Sequence, residues 1–121
     1  MIRPVAALAL AASLLASAAV ADDATVHEAF GNTIVSTYPD GRVGKLWLSA
    51  DGSYAAEGRR HDASSGHWNV KGAKLCLHQS KPLTMPISFC TPIPDGGLGH
   101  AWSAKAVTGE DIRVQVVKGK A

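Results

Sequence analysis

SSGHWNVKGAKLCLHQ, residues 64–79, holds two runs of alternating polarity on either side of a Lys-Gly pair. Alternation with period two marks extended chain with one face buried. A lone glycine between two such runs marks a tight turn, because glycine adopts positive φ without steric penalty. The stretch therefore reads as a β-hairpin. A two-residue loop at Lys71-Gly72 sets Val70 opposite Ala73 and Trp68 opposite Leu75 on one face, leaving His67 opposite Cys76 on the other.

The same pattern recurs along the chain. Tyr38-Pro-Asp-Gly-Arg42, Ser49-Ala-Asp-Gly-Ser53 and Ala106-Val-Thr-Gly-Glu110 each place a glycine late in a turn between alternating runs. Three-residue hairpin loops of this kind pair a type I turn with a glycine of positive φ. Applied here, they set Leu48 opposite Tyr54, Leu46 opposite Ala56 and Ile34 opposite Leu46. In the last hairpin they set Ala104 opposite Ile112 and Trp102 opposite Val114. Each register places apolar side chains together, and a one-residue slip would scatter them.

The chain has 2 cysteines, Cys76 and Cys90. Opposing them directly in an antiparallel pair brings their Cα atoms within disulfide range. That register also sets Leu77 opposite Phe89 and Gln79 opposite Ile87, with the bridge on the outer face. Eight strands are expected: Thr33–Tyr38, Val43–Ser49, Ser53–Arg59, His67–Val70, Ala73–Gln79, Ile87–Thr91, Ala101–Ala106 and Asp111–Val117. Connected in order they make an all-β antiparallel meander that closes into a small barrel, which removes exposed sheet edges. The inward set is bulky: Ile34, Leu46, Leu48, Tyr54, Trp68, Leu75, Leu77, Phe89, Trp102, Ile112 and Val114. A filled interior is expected. Thr25 and Glu28 stand at capping-box spacing, with Val26 and Phe30 four apart and Gly31 after them. They predict a short helical turn that lids one end.

Residues 1–21 have Arg3, an Ala/Leu-rich run from Val5 to Val20 and small residues at Ala19 and Ala21, the three parts of a secretory signal peptide in order. The apolar run falls short of the ~20 residues a spanning helix needs. Residues 22–121 are then one domain, periplasmic or secreted, where a paired cysteine forms a disulfide. Of the 12 Lys and Arg, Arg3 leaves with the leader, and the rest nearly balance the 10 Asp and Glu. That balance disfavours nucleic-acid binding, which needs a basic face, and a polybasic membrane surface. No later segment is apolar enough for stable membrane insertion.

Little in the sequence carries chemistry. There is no G-x-S-x-G elbow, C-x-x-C, H-E-x-x-H or dinucleotide fingerprint. His67 and His78 fall on one outer face beside Cys76, and His61 sits in a neighbouring loop. They are the metal candidates, but a zinc site wants three or four ligands, and oxidation of Cys76 removes the thiolate. Surface histidines are the plainer reading, and no cofactor is expected. Arg59 and Arg60 suit a carboxylate or phosphate, or else a solvated strand end. The glycine-rich loop with Gly96, Gly97 and Gly99 lacks a P-loop's Lys-Ser/Thr ending and reads as a flexible connection at the rim. Trp47 faces away from Leu46 and Leu48. It is covered by the N-terminal segment or exposed as an anchor for a partner.

The string FGNTIVSTYPDG, LWLSADGSYAAEG, SGHWNVKGAKLCL and FC, spanning Phe30 to Cys90, resembles a group of short exported bacterial proteins of unknown function. That resemblance implies no activity. Periplasmic metalloprotease inhibitors, small β-barrels with one disulfide, are similar around Trp68, Gly72, Cys76 and Leu77, but their inhibitory N-terminal arm is not recognisable. Small-barrel lysozyme inhibitors are similar along Tyr54, Trp68 and Lys71–Leu75, with different spacing and Gly52-Ser53 where Ser-Gly is expected. Neither carries inhibitory residues across.

The expectation is an exported, non-enzymatic binding protein acting on a protein or small-molecule partner, with a periplasmic hydrolase inhibitor as its sharpest form. The alternatives are a metal-binding or small enzymatic module using His61, His67 and His78, and a structural envelope protein.

Overall fold

The computed structural model describes residues 26–95 and 97–121; the expected signal peptide, Thr25 and Gly96 lie outside them. The described residues form eight strands. These are β1 (Thr33–Thr37), β2 (Val43–Leu48), β3 (Ser53–Glu57), β4 (Ala63–Lys71), β5 (Lys74–Lys81), β6 (Phe89–Pro92), β7 (Trp102–Lys105) and β8 (Asp111–Val117). All pairings are antiparallel, and the sheet runs β6-β5-β4-β3-β2-β1-β8-β7. The sheet curls into a nearly closed barrel. Its seam falls between β6 and β7, neighbours in sequence that share no ladder. Pro92 ends β6 after four residues and cannot donate to a ladder.

Three hairpins have the register that their turn chemistry dictates. Ile34 pairs with Leu46, Leu48 with Tyr54, and Trp102 with Val114. Gly41, Gly52 and Gly109 take φ of 86°, 93° and 88°, as the turn requires.

The β4–β5 hairpin differs from expectation. Its two-residue loop is Gly72-Ala73, so Trp68 pairs with Leu77, Val70 with Leu75, Asn69 with Cys76 and His67 with His78. The pairing has moved by two residues, which leaves every side chain on its expected face. Gly72, at φ 59°, occupies the first central position of the loop, where type II′ turns place glycine. β4 also extends four residues further toward its start, through an irregularity at Ser65/Gly66. A Cβ at Gly66 would overlap the His78 carbonyl and lie 2.9 Å from Gln79 Cα.

Cys76 and Cys90 are bonded and directly paired, with Cα atoms 4.0 Å apart. The bridge is on the outer face, yet Cys76 is fully buried while Cys90 is exposed. Leu77 meets Phe89 as expected, but β6 begins there. Ile87 is therefore outside the sheet and 76% exposed, not opposite Gln79.

The N-terminal turn is a single 3-10 turn, His27–Ala29, with no side-chain cap. Val26 and Ala29 are completely buried, and Phe30 packs against Trp68 in a tilted pair with ring centroids 5.7 Å apart. They plug the end of the barrel near the β2–β3 and β4–β5 turns. The expected capping box rests on Thr25, which lies outside the described residues, and on Glu28. Glu28 Oε1 accepts the Leu98 N–H at 2.7 Å, which docks the segment after β6 across the same end. No helix among the described residues is long and apolar enough to cross a membrane.

The opposite end is open. Inward positions in the half of the barrel near that end are held by Ser36, Gly44, Ala56, Gly58, Ser64 and Ala104, as the registers dictate. These side chains are too small to meet across the interior. The expected filled core is therefore present only around Leu48, Tyr54 and Trp68, and an apolar cavity of about 290 Å³ runs from Val26 and Leu98 to Tyr38 and Val107.

Candidate functional site

Three features could meet a partner: the open end of the barrel, the loop between β5 and β6, and the cavity. The open end is formed by the β1–β2, β3–β4 and β7–β8 turns, and the β5–β6 loop leaves the sheet at the same end. Arg59 crosses it. Its Nη2 donates to Glu110 Oε1 at 2.8 Å and its Nη1 to Glu110 Oε2 at 3.3 Å. Asp40 Oδ2 lies 3.7 Å from Nη1. The guanidinium sits 4.2 Å above the Tyr38 ring. Tyr38 in turn lies against Gly44, where a Cβ would come 3.6 Å from the ring. The order is Glu110, Arg59, Tyr38, cavity.

This clamp explains the titration of its members. The Thr108 hydroxyl, which donates to Glu110 at 2.8 Å, and then Arg59 hold the Glu110 carboxyl below its ordinary value. Glu110 in turn raises Arg59. Arg59 is thus already paired and does not present a free grip for an anion. Arg60 and His61 are exposed and share a shallow outer cleft with Arg42, Val43 and Arg59. The loop here is closed by backbone bonds from Gly58 N–H to Asp62 O at 2.9 Å and from His61 N–H to Gly58 O at 2.8 Å. His61 takes φ 69°, and its Nδ1 lies 3.5 Å from Glu57 Oε1.

The remaining expected residues are scattered. Trp47 is half-buried on the outer face, covered by the C-terminal segment. Its Nε1–H donates to Thr33 Oγ1 at 3.0 Å, and Lys120 Nζ lies 5.2 Å above its ring. Thr33 is the hub of that contact: its hydroxyl also accepts the Ala121 N–H at 2.8 Å and donates to Gly119 O at 2.8 Å. Gly97 and Gly99 wrap the Glu28 carboxylate at the plugged end. A Cβ on Gly97, at φ 86°, would come 2.9 Å from Glu28 Oε1. The expected flexible rim is therefore pinned there. His67 and His78 are direct cross-strand partners. Among the described residues no group of three or more His, Cys, Asp or Glu is placed to hold a metal ion.

The loop of residues 82–88 holds none of the site residues expected from the sequence. It exposes Leu83 at 71%, Met85 at 43% and Ile87 at 76%, and its fold is braced. Met85 N–H donates to Gln79 O at 3.0 Å, Gln79 Nε2 donates to Leu83 O at 3.1 Å, and Thr84 Oγ1 donates to Ser80 O at 3.3 Å. The disulfide ties β5 to β6 at its base. The sequence carries a signal for this loop: Leu83 and Met85 lie between Pro82 and Pro86, with Ile87 directly after, in a segment that neither proline allows to be a central strand. No protein-family model, no curated protein and no solved structure matches this chain.

Proposed function

We propose that the mature chain is an exported, non-enzymatic partner-binding protein that presents the 82–88 loop, and that inhibition of a hydrolase is the sharpest form of that role. The observation carrying the reading is the exposure of Leu83, Met85 and Ile87 together on one braced loop. Large apolar side chains grouped in solvent mark contact surfaces. A loop already ordered by its own hydrogen bonds and a disulfide surrenders little freedom when it docks, so more of the contact energy appears as affinity. A narrow, stiff, apolar loop suits insertion into a cleft. The resemblance to small periplasmic inhibitors is consistent with this in size and in its single bridge.

The test uses residues 22–121 at micromolar concentration against a lysozyme and a secreted metalloprotease, beside Leu83→Asp and Ile87→Asp variants. Slowed hydrolysis that either substitution relieves is the expected result. Unchanged rates with both enzymes sink the inhibitor form. The broader reading is tested by a photocrosslinker at position 87 in a periplasmic extract. A discrete adduct lost in Leu83→Asp supports it, and diffuse labelling opposes it.

A further inference from the structure

We propose that the barrel interior is a binding site for one small, uncharged, mostly apolar molecule carrying a single hydroxyl or carbonyl group. None of residues 82–88 lines this site. Protein interiors are normally packed to the density of organic crystals, so a cavity of about 290 Å³ in a domain this small is a departure that needs a cause. Its cause is regular. Ser36, Gly44, Ala56, Gly58, Ser64 and Ala104 occupy successive inward positions on five strands and a strand end, and all six line the cavity. The hollow is therefore written into the strand register, where larger side chains would have filled it.

Size limits the occupant. An apolar hole of about 150 Å³ accepts benzene, so on the order of twelve non-hydrogen atoms fit here, a double ring or a ring with a short chain. Chemistry limits it further. Leu77, Phe89, Trp102 and Ile112 supply apolar walls, and Ser36 and Ser64 place hydroxyls at inward positions. Lys45, Glu57 and Lys105 border the cavity, but their side chains belong to the outer face. Lys45 pairs with Glu57 there, and Lys105 Nζ lies 2.6 Å from Asp111 Oδ1. A charged ligand would lose its water and find no counter-charge, so the site selects against it.

Access is from the open end. The floor is shut by Val26 and Leu98, both buried. At the other end the wall is Tyr38, gripped from outside by Arg59, with Val107 exposed beside the opening. The unpaired seam between β6 and β7 lets the walls part slightly without breaking a ladder.

The test is a titration of ¹⁵N-labelled residues 22–121 with 1-naphthol, and separately with naphthalene-1-sulfonate. Amide shifts centred on residues 36, 56, 64 and 104 are expected with 1-naphthol, with affinity for the sulfonate weaker by roughly tenfold or more. Ser64→Leu and Ala104→Leu fill the hollow from different walls, and each should abolish the shifts while keeping a dispersed spectrum. Absence of shifts, shifts confined to residues 83–87, equal affinity for the sulfonate, or undiminished binding in a folded filled variant each overturns the proposal. The wild-type shift map decides even if neither variant folds.

Discussion

Thr33→Val isolates the hub that ties the C-terminal segment to the outer face of the barrel. Thr33 is completely buried, and its hydroxyl makes three hydrogen bonds, to Trp47, Ala121 and Gly119. Valine keeps the shape and removes them all. Gly119 and Ala121 are exposed and can turn to water, so each of their bonds is worth only about 0.5–1.5 kcal/mol net. The half-buried Trp47 N–H is harder to rehydrate, and leaving such a group unpaired costs about 1–3 kcal/mol. The three terms share one atom and do not add, so the expected loss is about 2 kcal/mol. For a domain of this size that lowers Tm by about 8–16 °C. Urea unfolding followed by tryptophan fluorescence measures it, and hydrogen exchange at the Ala121 amide should accelerate in the variant. Trp47→Phe leaves Thr33 two partners and should cost less. In the double variant the losses should fall short of additivity by about 1 kcal/mol. A Thr33→Val loss under about 0.5 kcal/mol, or strict additivity with Trp47→Phe, refutes the hub.

Gly66→Ala should destabilise by about 3 kcal/mol, because its Cβ meets the fixed backbone of His78 and Gln79. Gly44→Ala should lie within about 1 kcal/mol of wild type, since its nearest neighbours, Glu57 O at 3.5 Å and Tyr38 Cε1 at 3.6 Å, are in ordinary contact; urea midpoints test the pair. Replacing Cys76 and Cys90 by alanine opens a loop of sequence separation 14 and should cost about 3 kcal/mol in denaturant unfolding. The Glu110 carboxyl is held below its ordinary value by Thr108 and Arg59. Its contribution to stability is therefore fully present above the ordinary carboxylate range and lost as pH falls through the lowered folded value. Acid unfolding of Glu110→Gln should lack that component, and a profile parallel to wild type would remove the clamp from the account.

The turns were the most legible part of the chain. Asp-Gly and Thr-Gly at the ends of three-residue loops fix where each strand reverses, and apolar partners follow from that. The Gly72 turn was less legible because Lys71-Gly72 and Gly72-Ala73 both leave Trp68, Val70, Leu75 and Leu77 on one face. Period two cannot separate registers that differ by two residues. The cavity is hidden in the pattern by the size of its residues. Ser36, Gly44, Ala56 and Ser64 share a parity with Ile34, Leu46, Tyr54 and Trp68, and counting only the bulky members of that set implies a filled core. Arg59 read as a free cation because its partner Glu110 is 51 residues away and no local spacing joins them. The covering of Trp47 by residues 119–121 and the docking of Gly97 and Gly99 on Glu28 are likewise contacts between distant segments. Ile87 alternates in polarity with Phe89 and so reads as strand, although β6 begins only at Phe89 and leaves Ile87 exposed with Leu83 and Met85.

The two ends of the barrel are secured by different forces. Val26, Ala29 and Leu98 shut one end by excluding water, while ion pairs from Arg59 to Glu110 and Asp40 brace the other. Dissolved salt weakens attraction between exposed charges and leaves buried hydrocarbon in place. Cooling weakens the hydrophobic contribution and spares the ion pairs. Ionic strength and temperature thus act as separate handles on the two rims, and the solvent chooses which rim loosens first.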